Sequence, residues 1–290
     1  MRIVSILGRI IGLLALATVL GACSAVKLGY NNLGEVAYWW LDSYVDFEGE
    51  QAARVREDLA RLHLWHRSRE LPRLAQVLQH LEELAPGDIT PAQACVVVQQ
   101  VRERLNATAE HAVPAMVTRA LDLAPEQLLH LERKYETNNA KYRKEWLRAT
   151  AAERAEKRFR QFLERSETIY GDLDGAQRAV LRRQLEQSIF DADRILAERR
   201  RRQRDALATL RKLAGQPVSF DEARALLRGY LARIEEPPDP RQRRYLKALI
   251  EEGCRTFAGL HNSTSAAQRQ AAVRRLRTYQ RDLRELAAQQ

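Results

Sequence analysis

The chain has 290 residues, of which 45% are hydrophobic, 7% aromatic and 30% charged. That is too apolar for a disordered chain, and a single apolar stretch near the N-terminus excludes a polytopic membrane protein. The 48 Lys and Arg outnumber the 38 Asp and Glu for a formal charge of +10, and the 13 Gly and 9 Pro fall mostly between apolar-periodic stretches, which favours helices over a many-turned β-sandwich or barrel.

Arg2 and Arg9 make a short basic region, and Ile10 to Leu20 follow as an apolar run broken by Gly12 and Thr18. This run falls short of the roughly 20 residues that span a bilayer core, so residues 1–22 read as a signal peptide. The next residues, Leu20-Gly21-Ala22-Cys23-Ser24, resemble the lipobox of bacterial lipoproteins, with Gly21 where Ala or Ser is more usual. The resemblance implies that Cys23 is diacylated, becomes the first residue after cleavage, and takes a further acyl chain such as palmitate on its amine. Ser24 is similar to the sorting signal for the outer membrane, which implies the periplasmic face of that membrane. An ordinary buried thiol is the alternative for Cys23. Acyl chains at about 0.8 kcal/mol per buried CH₂ make an anchor of more than one chain effectively permanent. Cleavage removes Arg2 and Arg9 and leaves 268 residues at +8. Cys95 and Cys254 remain; paired in an oxidising periplasm they would stabilise by about 4 to 5 kcal/mol. Two separate buried thiols are the alternative, since sequence does not set the distance between their Cα atoms.

Residues 23–45 form an aromatic N-terminal segment with Tyr30, Tyr38, Trp39, Trp40 and Tyr44, and residues 46–290 a single helical domain. Neighbouring side chains on a helix diverge, so one of Trp39 and Trp40 is expected to pack and the other to cover something else. Val55, Leu59, Leu62 and His66 trace a helical stripe that Pro72 interrupts before Leu74, Val77, Leu78 and Leu81 resume it, predicting a kinked pair or a broken helix. Helix starts recur with one chemistry. Thr90, Asp174, Asp239 and Ser265 each stand three residues before Gln, and Ser219 three before Glu222. Ala124 precedes Gln127 without a capping oxygen. The spacings between these starts fit no fixed repeat.

A long stripe from Pro125 to Ile169 and another from Ala176 to Leu213, separated by Gly171 to Gly175, predict an antiparallel helical hairpin. Thr150-Ala151-Ala152-Glu153 marks a plausible break in the first. The turn's position would set Arg199 near Glu145 and Trp146, and Gln203 near Tyr142. In that zone Asn138 interrupts one apolar stripe while Arg199 and Gln203 interrupt the other. The expected fold is all-α, an elongated bundle of about eight helices containing this hairpin.

Chemistry-bearing motifs are sparse. His63, His66 and Glu70 share a helical face at spacings of three and four, which suits a metal, although a half-buried His66 with Glu70 paired to Arg67 or Arg69 suits the same pattern. Asp42, Asp46, Glu48 and Glu50 read as caps more readily than as a carboxylate pair. Gly-x-Ser-x-Gly and the glycine-rich phosphate loop are missing, so no catalytic residue and no cofactor is expected. Arg199, Arg200, Arg201, Arg202 and Arg204 point all around one helix. They form either a solvated zone or a patch for an anionic partner. A signal peptide removes the chain from nucleic acid.

Cys23-Ser24, Tyr30-Asn31-Asn32-Leu33, Trp40-Leu41-Asp42-Ser43-Tyr44, Trp65-His66-Arg67 and Glu70-Leu71-Pro72 together resemble an uncharacterised family of proteobacterial lipoproteins. The resemblance implies an envelope lipoprotein and carries no activity. Leu123-Ala124-Pro125-Glu126-Gln127 is similar to a motif of small helical periplasmic chaperones of the Spy and CpxP type, with Ala124 where the motif has Thr. The expectation is a non-catalytic, lipid-anchored envelope protein whose basic helical surface binds a protein or an anionic envelope component such as lipid. The alternative is an enzyme or metal protein centred on Asp42, Trp65, His66 and Glu70.

Overall fold

A computed structural model describes residues 26–289: residues 26–31 are helical, eleven further α-helices follow, and no strand occurs among them. They are α1 (Leu33–Val45), α2 (Glu50–Trp65), α3 (Leu71–Leu84), α4 (Pro91–Leu121), α5 (Pro125–Tyr142), α6 (Ala151–Tyr170), α7 (Gly175–Glu186), α8 (Ala192–Gly215), α9 (Phe220–Glu235), α10 (Pro240–Asn262) and α11 (Ala266–Ala288). The signal peptide and Cys23 lie outside the described residues.

The expected count of about eight is too low because both long stripes break. Thr150 Oγ1 accepts from the N–H of Glu153 at 3.2 Å while the Glu153 carboxylate accepts from the N–H of Thr150 at 2.7 Å, and this capping box starts α6. The second stripe stops after Glu186, and the next residues are held from another helix. Glu252 of α10 accepts from the N–H of Ile189 at 2.8 Å, and Tyr245 Oη from the N–H of Asp191 at 2.8 Å. The two breaks shift the pairing between α5 and α8 by about a turn from the expected register. Gln203 meets Asn139 at 2.8 Å and Arg199 lies 5.5 Å from the Tyr142 ring. Trp146 meets Phe190 instead.

The interruption expected at Pro72 is a π-helical turn and not a gap in the chain of helical residues. Residues His66–Glu70 form one π-helical turn between α2 and α3, and Pro72 sits in the first turn of α3. A proline here lacks the N–H that would bond the Ser68 carbonyl, and its ring would strike that carbonyl in a regular helix. The wider turn relieves the clash.

The capping glutamines do more than cap. Gln177 accepts from the N–H of Asp174 at 3.0 Å, and Gln268 from the N–H of Ser265 at 2.9 Å. Their amides also bond each other in both directions, at 2.7 and 2.9 Å. Each reaches the carbonyl five residues before the other, Gln177 to Ser263 and Gln268 to Asp172. The same clasp recurs between Gln51 and Gln127, which reach Asp122 and Asp46. Thus the starts of α2 and α5, and of α7 and α11, are tied by paired glutamines, more loosely at Gln51 and Gln127. At Asp239 the expected device is only half present: Asp239 caps Arg241 at 2.9 Å, while Gln242 Nε2 is buried without a partner.

Apolar packing is divided among several clusters. Phe159, Tyr170, Leu181, Leu185 and Leu260 join α6, α7 and α10, with Ala272 of α11. Val113, Val117, Leu213, Ala223 and Leu227 join α4, α8 and α9. α3 lies along α11 through Ala85, Val273 and Leu276. Cys95 of α4 and Cys254 of α10 form a disulfide, with Cα atoms 5.4 Å apart, beside Ile89 and Ala94.

His261 is buried in this core with both ring nitrogens bonded, Nε2 to the Gly87 carbonyl at 2.8 Å and Nδ1 to Tyr170 Oη at 2.9 Å. A carbonyl only accepts, so Nε2 carries the proton and Nδ1 accepts from the tyrosine. Burial holds its pKa below the ordinary 6.5, and burial does the same to His63 and His66. The unfolded chain therefore binds more protons below pH 6.5, so stability is fully present above that pH and falls as the rings are forced to charge. A urea midpoint lower at pH 5.5 than at pH 7.5 is the expected result, and equal midpoints would contradict it.

Candidate functional site

Six helices, α1, α2, α4, α5, α8 and α9, surround an open cavity of about 1320 Å³ instead of closing on one another. This exceeds the roughly 300 to 1,000 Å³ of ordinary ligand sites. The gap has a cause in α4, whose contribution is mainly small: Ala112, Pro114, Ala115 and Ala120 line it where larger side chains would fill it. The wall also includes Leu59 and Leu62 of α2, Leu131 of α5, and Leu210 of α8. The lining is predominantly apolar.

Its polar groups lie in two places, one of them where α5 faces α8. Asn138 donates to Tyr44 Oη at 2.9 Å, and Tyr44 packs edge-on against Tyr135 with ring centres 6.1 Å apart. Burial pushes the Tyr135 phenol well above its ordinary range, so it stays neutral. Gln203 uses its Oε1 to accept from buried Asn139, and its Nε2 has no hydrogen-bond partner among the described residues. Glu198 is buried and binds Arg201 through both oxygens at 2.8 Å and Arg202 at 2.7 Å. Despite its burial, the two guanidinium groups hold its carboxyl below the usual range. At the other side, Asp58 is shared by Arg61 and Arg119.

The arginine run is therefore not a single surface. Arg201 is tied to Glu198, to Asp205 at 3.3 Å and to the Arg233 carbonyl at 2.8 Å. Arg200 faces Glu136 at 3.9 Å, and Arg204 is exposed. Of the five, Arg199 and Arg202 line the cavity. Arg199 has no carboxylate partner among the described residues and rests against Tyr142.

The four residues of the alternative site do not converge. Asp42 accepts from the N–H of Phe47 at 3.0 Å and closes the end of α1. Trp65 stacks on His111 with centres 3.9 Å apart. His66 bonds Tyr30 at 2.9 Å, and Tyr30 also packs on His63. Glu70 is fully buried and pairs with Arg73 at 2.6 Å and Arg104 at 3.6 Å, not with Arg67 or Arg69. No cluster of three or more metal-binding side chains forms among the described residues.

The adjacent tryptophans also differ from expectation. Trp39 is 67% and Trp40 60% exposed, so neither is buried, although Trp40 touches the Tyr44 ring and lines the cavity mouth. Asn138, Arg199 and Gln203 were visible in the sequence as the place where two apolar stripes turn polar. Tyr44, Tyr135 and the alanines of α4 carried no such mark, because small residues on a helix look alike whether they face a neighbour or a void.

No curated protein and no solved structure matches the chain. The match to a protein family runs from residue 43 to residue 229, taking in all of α2 to α8, the end of α1 and most of α9, and hence most of the cavity wall. On that match the chain belongs to the Family of unknown function (DUF6279).

Proposed function

We propose that this is a non-catalytic binding protein of the bacterial envelope, anchored at the periplasmic face of the outer membrane through lipidated Cys23, that holds an apolar ligand in the six-helix cavity. The observation that carries the reading is the cavity itself, about 1320 Å³ and walled mostly by aliphatic and aromatic side chains. Each ligand methylene buried there contributes about 0.8 kcal/mol. The basic partner surface expected from sequence narrows on this reading to Arg199 and Arg202 at the cavity wall.

Anchoring is supported by the segment that follows Cys23. Leu28, Val36, Trp39 and Trp40 are all exposed, an unusual density of bare apolar surface. Aliphatic and indole side chains suit the boundary between headgroups and acyl chains. No helix among the described residues is long and apolar enough to cross a membrane.

The chain from residue 24, which keeps every described helix, is titrated with the apolar fluorophore N-phenyl-naphthylamine. Saturable binding is expected, weakened at least tenfold when Ala112→Trp and Ala115→Trp fill the space, with the melting temperature maintained. Undiminished binding in the filled variant would remove the cavity as the site. In cells, a palmitate analogue should label the full chain and not its Cys23→Ala variant.

A further inference from the structure

The cavity is electrically lopsided. Along α8 the guanidinium groups of Arg201 and Arg202, with Arg233 of α9, meet two carboxylates, Glu198 and Asp205, while Arg200 shares Glu136 with Arg143 and Arg199 meets none. At the α2–α4 wall Arg61 and Arg119 meet Asp58, with Glu57 and Asp122 beside them, so three carboxylates answer two guanidinium groups. The α8 side therefore carries an excess of positive charge that the α2–α4 side lacks, and the lining between them is mostly apolar.

Within the basic wall, the groups with unused donors are specific. Arg199 is held by the Tyr142 ring and by no carboxylate. Arg202 gives Glu198 only its Nε, at 2.7 Å, and Gln203 Nε2 has no partner. Positions 199, 202 and 203 are neighbours on one side of α8, three and four residues apart. From Arg199 the wall continues along α8 through Ala206 to Leu210, about 16 Å at 1.5 Å per residue, and then to Phe220 and Leu227 of α9. That length accepts an extended acyl chain of medium length.

We infer that the cavity binds a single-chain amphiphile with an anionic head, a carboxylate or a phosphate, the head on Arg199, Arg202 and Gln203 and the tail along α8 toward Leu210 and Phe220. The inference rests on the cavity being a ligand site and adds the ligand's class and orientation. Water leaves the apolar walls when the tail enters, and the head meets Arg199, which no protein acid neutralises, together with the terminal guanidinium nitrogens that Arg202 does not give to Glu198. Glu198 has a positioning role, since it fixes Arg202 and repels an anion that strays deeper along its side of the wall.

The test compares dodecanoate with dodecanol, which share a tail and differ in head charge, on the chain from residue 24, by displacement of the apolar fluorophore. At low salt the carboxylate is expected to bind about tenfold more tightly than the alcohol, the size of one charge-assisted hydrogen-bond contact. Arg199→Gln should erase that preference by weakening the carboxylate about tenfold more than the alcohol, Arg199→Lys should restore much of it, and added salt should weaken the carboxylate more than the alcohol. Equal affinity for acid and alcohol, unaltered by Arg199→Gln, overturns the anionic head and leaves the apolar site standing. Binding of neither, while the fluorophore also fails, overturns the site and the inference together. Replacing dodecanoate by dodecyl phosphate separates the two head chemistries: tighter binding of either acid than of the alcohol supports the inference.

Discussion

Reduction of the Cys95–Cys254 bond, or replacement of both residues by Ala, is expected to lower stability by about 5 kcal/mol. The bond joins residues 159 apart, so it closes most of the chain into one loop. The cost of losing it arises in the unfolded state, which gains the freedom that closure removed. The folded state has other ties at the same place. Asn262 accepts from the N–H of Ile89 at 2.8 Å and donates to its carbonyl at 3.1 Å, and His261 holds Gly87. The helical content should therefore survive reduction at 25 °C while the melting temperature falls by more than 10 °C, given about 2 to 4 °C per kcal/mol for a chain of this size class. Thermal melts with and without a reducing agent measure it, and coincident curves would show that the bond contributes nothing to stability.

Local chemistry was readable in the sequence and long-range chemistry was not. Thr90, Thr150, Asp174, Ser219 and Ser265 all start helices, because a side-chain oxygen and an acid or amide three residues later satisfy backbone N–H groups without help from elsewhere. The break in the second long stripe had a weaker signature, a lone Asp191 that accepts from the N–H groups of Asp193 and Arg194 without an acid or amide at position 194 to answer it. What the sequence does not show is that Glu252 and Tyr245, more than 50 residues away, bind the free N–H groups of Ile189 and Asp191 there. His66 and Glu70 illustrate the opposite error of spacing. They share a helical face, but Tyr30 takes one, and Arg73 with Arg104 takes the other. The candidate site was half legible. A polar interruption in an apolar stripe is informative when both partners show it, as Asn138 and Gln203 do. The void beside it depends on which way Ala112 and Ala115 face, and one sequence carries no record of that.

Gln177→Ala is expected to cost about 3 kcal/mol, an unusually large loss for one uncharged side chain near a loop. The amide is 4% exposed and makes four hydrogen bonds: it accepts from Asp174 and Gln268 and donates to Ser263 and Gln268. Each is worth about 0.5 to 1.5 kcal/mol net, and truncation leaves the Asp174 N–H and the Ser263 carbonyl to find other partners. Gln268→Ala should lose a similar amount, since it too serves its own cap and the Asp172 carbonyl. The decisive quantity is the double variant. Two of the bonds are common to both residues, so the pair should cost about 1 to 2 kcal/mol less than the sum of the single losses. Simple additivity in urea unfolding would mean that each glutamine merely caps its own helix. The matching clasp at Gln51 and Gln127 provides an internal control. There the return bond is 3.4 Å and Gln51 is only half-buried, so its coupling should be the weaker of the two. A graded result of this kind ties the starts of α7 and α11 into one unit, and those of α2 and α5, which flank the cavity, into another.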